Sequence, residues 1–138
     1  MKFFQLQELI DRTTFETLGE EAWQKFNTEA LIALDDLREY FNASITINDW
    51  SRGGQSQWRG YRSSACPIGA THSQHRSGNA FDCTIKGYTA AEARAEIIAH
   101  QDDELLKRIM RLEDKVSWVH FDCGRIPDNK QRIYLFQA

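Results

Sequence analysis

Two short runs, residues 79–85 (NAFDCTI) and 117–123 (SWVHFDC), alternate with a period of two. That is the pattern of strands with one face toward a core. In the first, Phe81, Cys83 and Ile85 share a face while Asp82 and Thr84 share the other. In the second, Val119, Phe121 and Cys123 form the apolar set, leaving Trp118, His120 and Asp122 opposite. If the two strands are neighbours, Asp82 and His120 converge on one point. His75 precedes Asp82 closely enough to fold back over the strand end. Two imidazoles and one carboxylate are a sufficient protein shell for a catalytic Zn2+, with the fourth position kept for water. Gly78 frees the backbone for the tight return, and Ala80 is small enough to let the strand pass close to an ion. Satisfied polar side chains at a strand edge explain the same spacing equally well.

The rest of the chain predicts an α+β fold, N-terminal helices packed on a small antiparallel sheet, as a single domain over residues 1–138. Thr13 or Thr14 is placed to cap a helix containing Phe15, Leu18, Ala22, Trp23 and Phe26 on one stripe. Asn27 or Thr28 is placed to cap the next, where Leu31, Leu34, Leu37 and Phe41 repeat at helical spacing. These stripes read as core. Residues 44–49 alternate as a short strand, with Ile45 and Ile47 between polar residues. An irregular stretch, residues 51–78, then holds five of the chain's eight glycines. So long a loop inside a domain is usually functional. Thr89 and Glu92 form a capping box for a helix, a second helical segment is expected over residues 102–113, and residues 115–123 and 132–136 are the closing strands.

Composition excludes several classes. A net charge of −3 with no long basic run gives no footprint for nucleic acid. No apolar run reaches membrane-span length, and acid and amide residues arrive too early in residues 1–12 for a secretion signal. Synthesis in the cytoplasm without a signal peptide is the expectation, as is a monomer. Three cysteines, Cys66, Cys83 and Cys123, make an odd set with no C-x-x-C pair, arguing against a zinc knuckle or a disulfide framework. They read as small buried hydrophobes.

Ser73, His75, Gly78, Ala80 and Asp82 match, position for position, the S-x-H-x-x-G-x-A-x-D signature of a zinc peptidase family. Its members are D-alanyl-D-alanine carboxypeptidases and the L-alanyl-D-glutamate endopeptidases of phage lysins, sharing a fold with the hedgehog signalling domain. Trp118, His120 and Asp122 resemble the family's second element. The resemblance implies that His75, Asp82 and His120 bind Zn2+ and that the substrate is the peptide stem of bacterial peptidoglycan. It also implies phage-type release as one route to the cell wall. The family carries an arginine before the zinc motif, often in a Gly-Tyr-Arg phrase. Gly60, Tyr61 and Arg62 supply the phrase, while Arg52 follows the strand directly. A guanidinium there would hold a substrate carboxylate or a developing oxyanion.

One departure from the family pattern concerns the general base. Many members place an acid three residues before the last histidine, where this chain has Ser117. Asp122 is the nearest replacement and equally fits a partner that orients an imidazole. Glu113 and Asp114 are further options. Ser117 motivates an alternative function, a phage-derived metal-binding structural or wall-binding domain without catalysis. A cysteine hydrolase finds little support, since nothing marks Cys83 as exposed. Of the other histidines, His72 could line the site or carry protons, and His100 reads as structural at a helix end. Ser73 is expected to hydrogen-bond within its loop. Trp50, Trp58 and Tyr61 either floor a groove or fold onto the core.

Overall fold

The computed structural model describes residues 1–69 and 73–138. Three helices and five strands carry the architecture: α1 (Arg12–Leu18), α2 (Thr28–Phe41), β1 (Ile45–Thr46), β2 (Ala80–Ile85), α3 (Ala90–Ala99), β3 (Arg111–Glu113), β4 (Val119–Asp122) and β5 (Tyr134–Phe136). Short 3-10 turns fill in at Leu6–Glu8, Gly19–Lys25, Trp50–Arg52 and Gln74–Ser77. This is the α+β arrangement the sequence predicts. None of the described helices is long and apolar enough to cross a membrane.

The helix caps follow local chemistry. Asn27 accepts from the Glu29 amide to start α2, and Thr89 and Glu92 form the reciprocal capping box of α3. The first helix differs from expectation. Asp11, not Thr13 or Thr14, caps α1, accepting from both the Thr14 amide and its hydroxyl. The α-helix stops at Gly19, whose φ is +56°, and residues up to Lys25 continue as a 3-10 turn.

The strand order is β1-β2-β4-β3-β5. β1, β2, β4 and β3 pair antiparallel, and only β5 lies parallel, beside β3. β2 and β4 are neighbours, and their register sets Phe81 opposite Phe121 and Asp82 opposite His120. Phe81, Cys83, Val119 and Phe121 are buried in one core with Leu34 and Leu37 of α2 and Ile97 of α3. Each fully buried side chain of that size contributes about 1.5–3 kcal/mol. The sheet's other face is left for polar groups.

Residues 102–113 do not form the expected second helix. Amides of Asp103, Leu106 and Ile109 each bond three residues back, to His100, Asp103 and Leu106, giving successive turns. The chain then enters β3, where Leu112 pairs with Phe121 and is buried in the core. Spacing within Leu106, Ile109 and Leu112 suits a helix, but strand pairing with β4 decides the matter.

Candidate metal centre

Three elements bring the candidate ligands together. Ser73 caps the Gln74–Ser77 turn by accepting from the His75 amide, as expected of a loop serine. Gly78 then reverses the chain at φ +73°, carrying it into β2 and Asp82. A Cβ at Gly78 would lie 2.1 Å from the Lys25 carbonyl oxygen, so the return is closed to larger residues. Antiparallel pairing sets His120 directly opposite Asp82.

The result is a buried cluster. His75, Asp82 and His120 are 2%, 6% and 6% exposed, and their ligand atoms all lie within 4.8 Å of one another. Both imidazoles face the same carboxylate oxygen. His75 Nε2 is 3.2 Å and His120 Nδ1 2.9 Å from Asp82 Oδ1. The far nitrogen of each ring meets an acceptor: His75 Nδ1 is 2.9 Å from the Gly60 carbonyl oxygen, and His120 Nε2 is 2.9 Å from Asp122 Oδ2. If those outer nitrogens carry the protons, each ring presents a lone pair toward Asp82. That donor set, two neutral imidazoles and a carboxylate with outer N–H groups held by oxygen, fits a divalent cation such as zinc.

Charge around the cluster is strongly coupled. Burial by itself would raise the Asp82 pKa, but hydrogen bonds from His120 and His75 hold it well below the usual carboxylate range. Burial would lower the pKa of His120, yet Asp122 and Asp82 on its two nitrogens push it up to about 9. Asp122 is likewise held low, by His120 and Arg111 against the effect of burial.

The structure separates the two candidate arginines. Arg62 lies in the site: its Nε donates to the Trp58 carbonyl oxygen at 2.7 Å and its Nη2 to Asp82 Oδ2 at 3.2 Å. Its amide also donates to the His75 carbonyl oxygen, fixing the loop against the ligand turn. Just before Arg62, Gly60 lets the loop pass close to the Leu9 backbone, whose carbonyl oxygen a Cβ there would meet and which accepts from the Tyr61 amide. Arg52 is elsewhere, paired on the surface with Glu8 at 3.1 Å. Its place after β1 does not bring it to the cluster.

Asp122 shares the polar face with His120, as alternation predicts, but sits behind it and is fully buried. Four donors converge on its two oxygens: Arg111 Nε and the Gly124 amide on Oδ1, Arg111 Nη2 and His120 Nε2 on Oδ2. A carboxylate so committed orients the ring.

The cluster floors a cleft of about 500 Å³ whose lining includes Arg62, Arg111, Glu113, Trp118 and Phe136. Arg111 and Phe136 escaped the sequence reading, and the Arg111 guanidinium stacks 4.3 Å from the Phe136 ring centroid. Alternation in residues 111–113 was the available signal, hidden while that segment read as helix. Trp50 and Tyr61 fold inward, Trp50 donating to the Ile10 carbonyl oxygen and Tyr61 packing edge-on against Phe26. Trp58 lines a shallower depression that shares Arg62, Asp82 and Trp118 with the cleft. His100 ends α3 as expected. His72 lies outside the described residues. Cys83 is fully buried, and burial drives its thiol pKa far upward, away from nucleophilic chemistry.

A mixed sheet with helices on one face and a histidine–aspartate–histidine cleft on the other is an arrangement suited to a hydrolase of the metallopeptidase class. The model of the Peptidase M15 family matches residues 2–122, and the chain belongs to that family. No curated protein and no solved structure matches it significantly. The family's members are zinc enzymes, in keeping with the donor set on β2, β4 and the turn before β2.

Proposed function

We propose that this protein is a zinc-dependent peptidase that hydrolyses peptide bonds in the stem peptide of bacterial peptidoglycan. The ion would be held by His75 Nε2, the Asp82 carboxylate and His120 Nδ1. The observation that carries the reading is the arrangement of the two rings, each with its outer nitrogen facing an oxygen and its inner one facing Asp82. Zinc bound there supplies a Lewis acid for the scissile carbonyl and for water.

The chain's own groups prepare the reaction. Gly60 and Asp122 fix the tautomers of His75 and His120. Arg62 steadies Asp82 and offers a guanidinium at the cleft, suited to a substrate carbonyl oxygen or carboxylate as charge develops. Arg111 acts through Asp122, holding it against His120. Trp118 and Phe136 provide apolar contact for a short peptide. The peptidoglycan substrate is supported by the match of Ser73, His75, Gly78, Ala80 and Asp82 to the signature of cell-wall peptidases.

The test pairs metal analysis with digestion of murein sacculi by the purified, zinc-supplemented protein. Near-stoichiometric zinc in the wild type, lost together with peptide release in His75→Ala, is the expected outcome. Masses of the released fragments identify the bond cut. Zinc retained by a wild type that releases nothing would instead mark a structural or wall-binding domain, the reading Ser117 motivates.

A further inference from the structure

In many members of the family that the zinc motif resembles, the proton-accepting acid stands three residues before the last histidine, and this chain has Ser117 there. Ser117 is exposed and lines a different cavity, beside Thr84 and Arg94. Asp114 is drawn toward Arg94, at 3.7 Å, and is absent from the cleft lining. Asp122 has both oxygens filled by four donors and is fully buried.

Glu113 meets the requirements these residues miss. It ends β3, next to the pairing of Leu112 with Phe121, so it stands across from His120 on the polar face. Its Oε1 is 4.0 Å from His120 Nδ1, the nitrogen turned toward Asp82. That distance is beyond a hydrogen bond, and among the described residues no hydrogen bond to its side chain is formed. The carboxylate lines the cleft with a side chain only 13% exposed. Arg111, two residues earlier on the same face, directs its guanidinium to Asp122.

We propose that Glu113, reaching in from the neighbouring strand, is the catalytic proton carrier in place of the acid missing at Ser117. The proposal rests on the peptidase reading above. As the water oxygen bonds to the scissile carbonyl carbon, one water proton passes to the Glu113 carboxylate. The C–N bond then breaks with its electron pair going to nitrogen, and Glu113 delivers the proton to that nitrogen. The products are a carboxylic acid and an amine, and Glu113 returns to its starting state. Moving the acid from the approach to β4 onto β3 keeps it beside the same ring, because the sheet places residue 113 next to residue 120.

The rival role is a fourth metal ligand that closes the site. Glu113→Gln tells the two apart, since it preserves shape and removes proton acceptance. The assay measures zinc affinity by chelator competition, the visible spectrum of the cobalt-substituted protein, and kcat and KM on a defined stem peptide. The expected result is zinc affinity within threefold of wild type, an unchanged cobalt spectrum, KM little altered and kcat lower by about 10²–10⁴. Glu113→Asp, keeping the acid on a shorter arm, is expected between the two. Turnover of Glu113→Gln within threefold of wild type would overturn the proposal and leave the zinc peptidase reading standing. A tenfold or greater loss of zinc affinity would overturn it too, making Glu113 a ligand. A zinc-loaded wild type that cleaves no peptide would overturn the peptidase reading, and this inference with it.

Discussion

Replacing Asp122 with asparagine changes one atom and breaks a count. Its two oxygens receive four N–H groups: Arg111 Nε at 2.8 Å and the Gly124 amide at 3.0 Å on one, Arg111 Nη2 at 3.1 Å and His120 Nε2 at 2.9 Å on the other. An amide has a single oxygen, so either rotamer turns its NH2 against two donors. Each buried donor left unmatched costs roughly 1–3 kcal/mol, and loss of the charge opposite Arg111 adds to it. Asp122→Asn is therefore expected to destabilise the fold by roughly 2–5 kcal/mol. If the NH2 faces His120, the ring is relieved by moving its proton to Nδ1, the atom proposed to bind zinc. Loss of such an orienting partner typically weakens metal affinity 10–100-fold. Urea denaturation of the metal-free protein gives the first quantity and chelator competition the second. A variant with wild-type stability and zinc affinity but no turnover would refute the orienting role and return Asp122 to the chemistry itself.

Gly78→Ala forces a left-handed residue, at about 1–2 kcal/mol, and a Cβ 2.1 Å from the Lys25 carbonyl oxygen; a loss of about 3 kcal/mol in urea melts is expected, with weakened zinc binding because His75 shifts. For the metal-free protein, His120 has its pKa raised to about 9 and so contributes stability that is complete below about 6.5 and lost as pH rises through 9. Asp82, held low, contributes above about 4 and is lost on acidification. Melting temperature in EDTA is thus expected to fall between pH 7 and pH 9, and a flat profile would contradict the pairing. Arg52→Ala, removing a surface pair, is expected to alter stability by less than about 0.5 kcal/mol and activity not at all. Arg62→Ala is expected to lower kcat/KM roughly a hundredfold, the scale of a lost oxyanion donor, as read by peptide hydrolysis; equal effects at the two positions would overturn the assignment to Arg62.

The legible parts of the sequence were those ruled by local chemistry. Asn27 and the Thr89–Glu92 box announce their helices, because capping is settled within one turn. Alternation in residues 79–85 and 117–123 announces two strands and the faces of Phe81, Asp82, His120 and Phe121. Residues 102–113 have an apolar spacing that suits a helix, and only pairing with β4 makes 111–113 a strand. With the strand comes Arg111, and with it the position of Glu113, which the sequence offers as a candidate base but cannot place on a shared face until the strand exists.

From the chain of residues alone come an α+β fold with one apolar and one polar strand face, and the histidines and acid of the candidate metal site. Tertiary structure alone decided that Arg62 and not Arg52 reaches the site, that Asp122 is consumed by four donors, and that Glu113 stands beside His120. Period-two alternation is written residue by residue, whereas the identity of a strand's neighbour depends on long-range pairing that no local segment encodes.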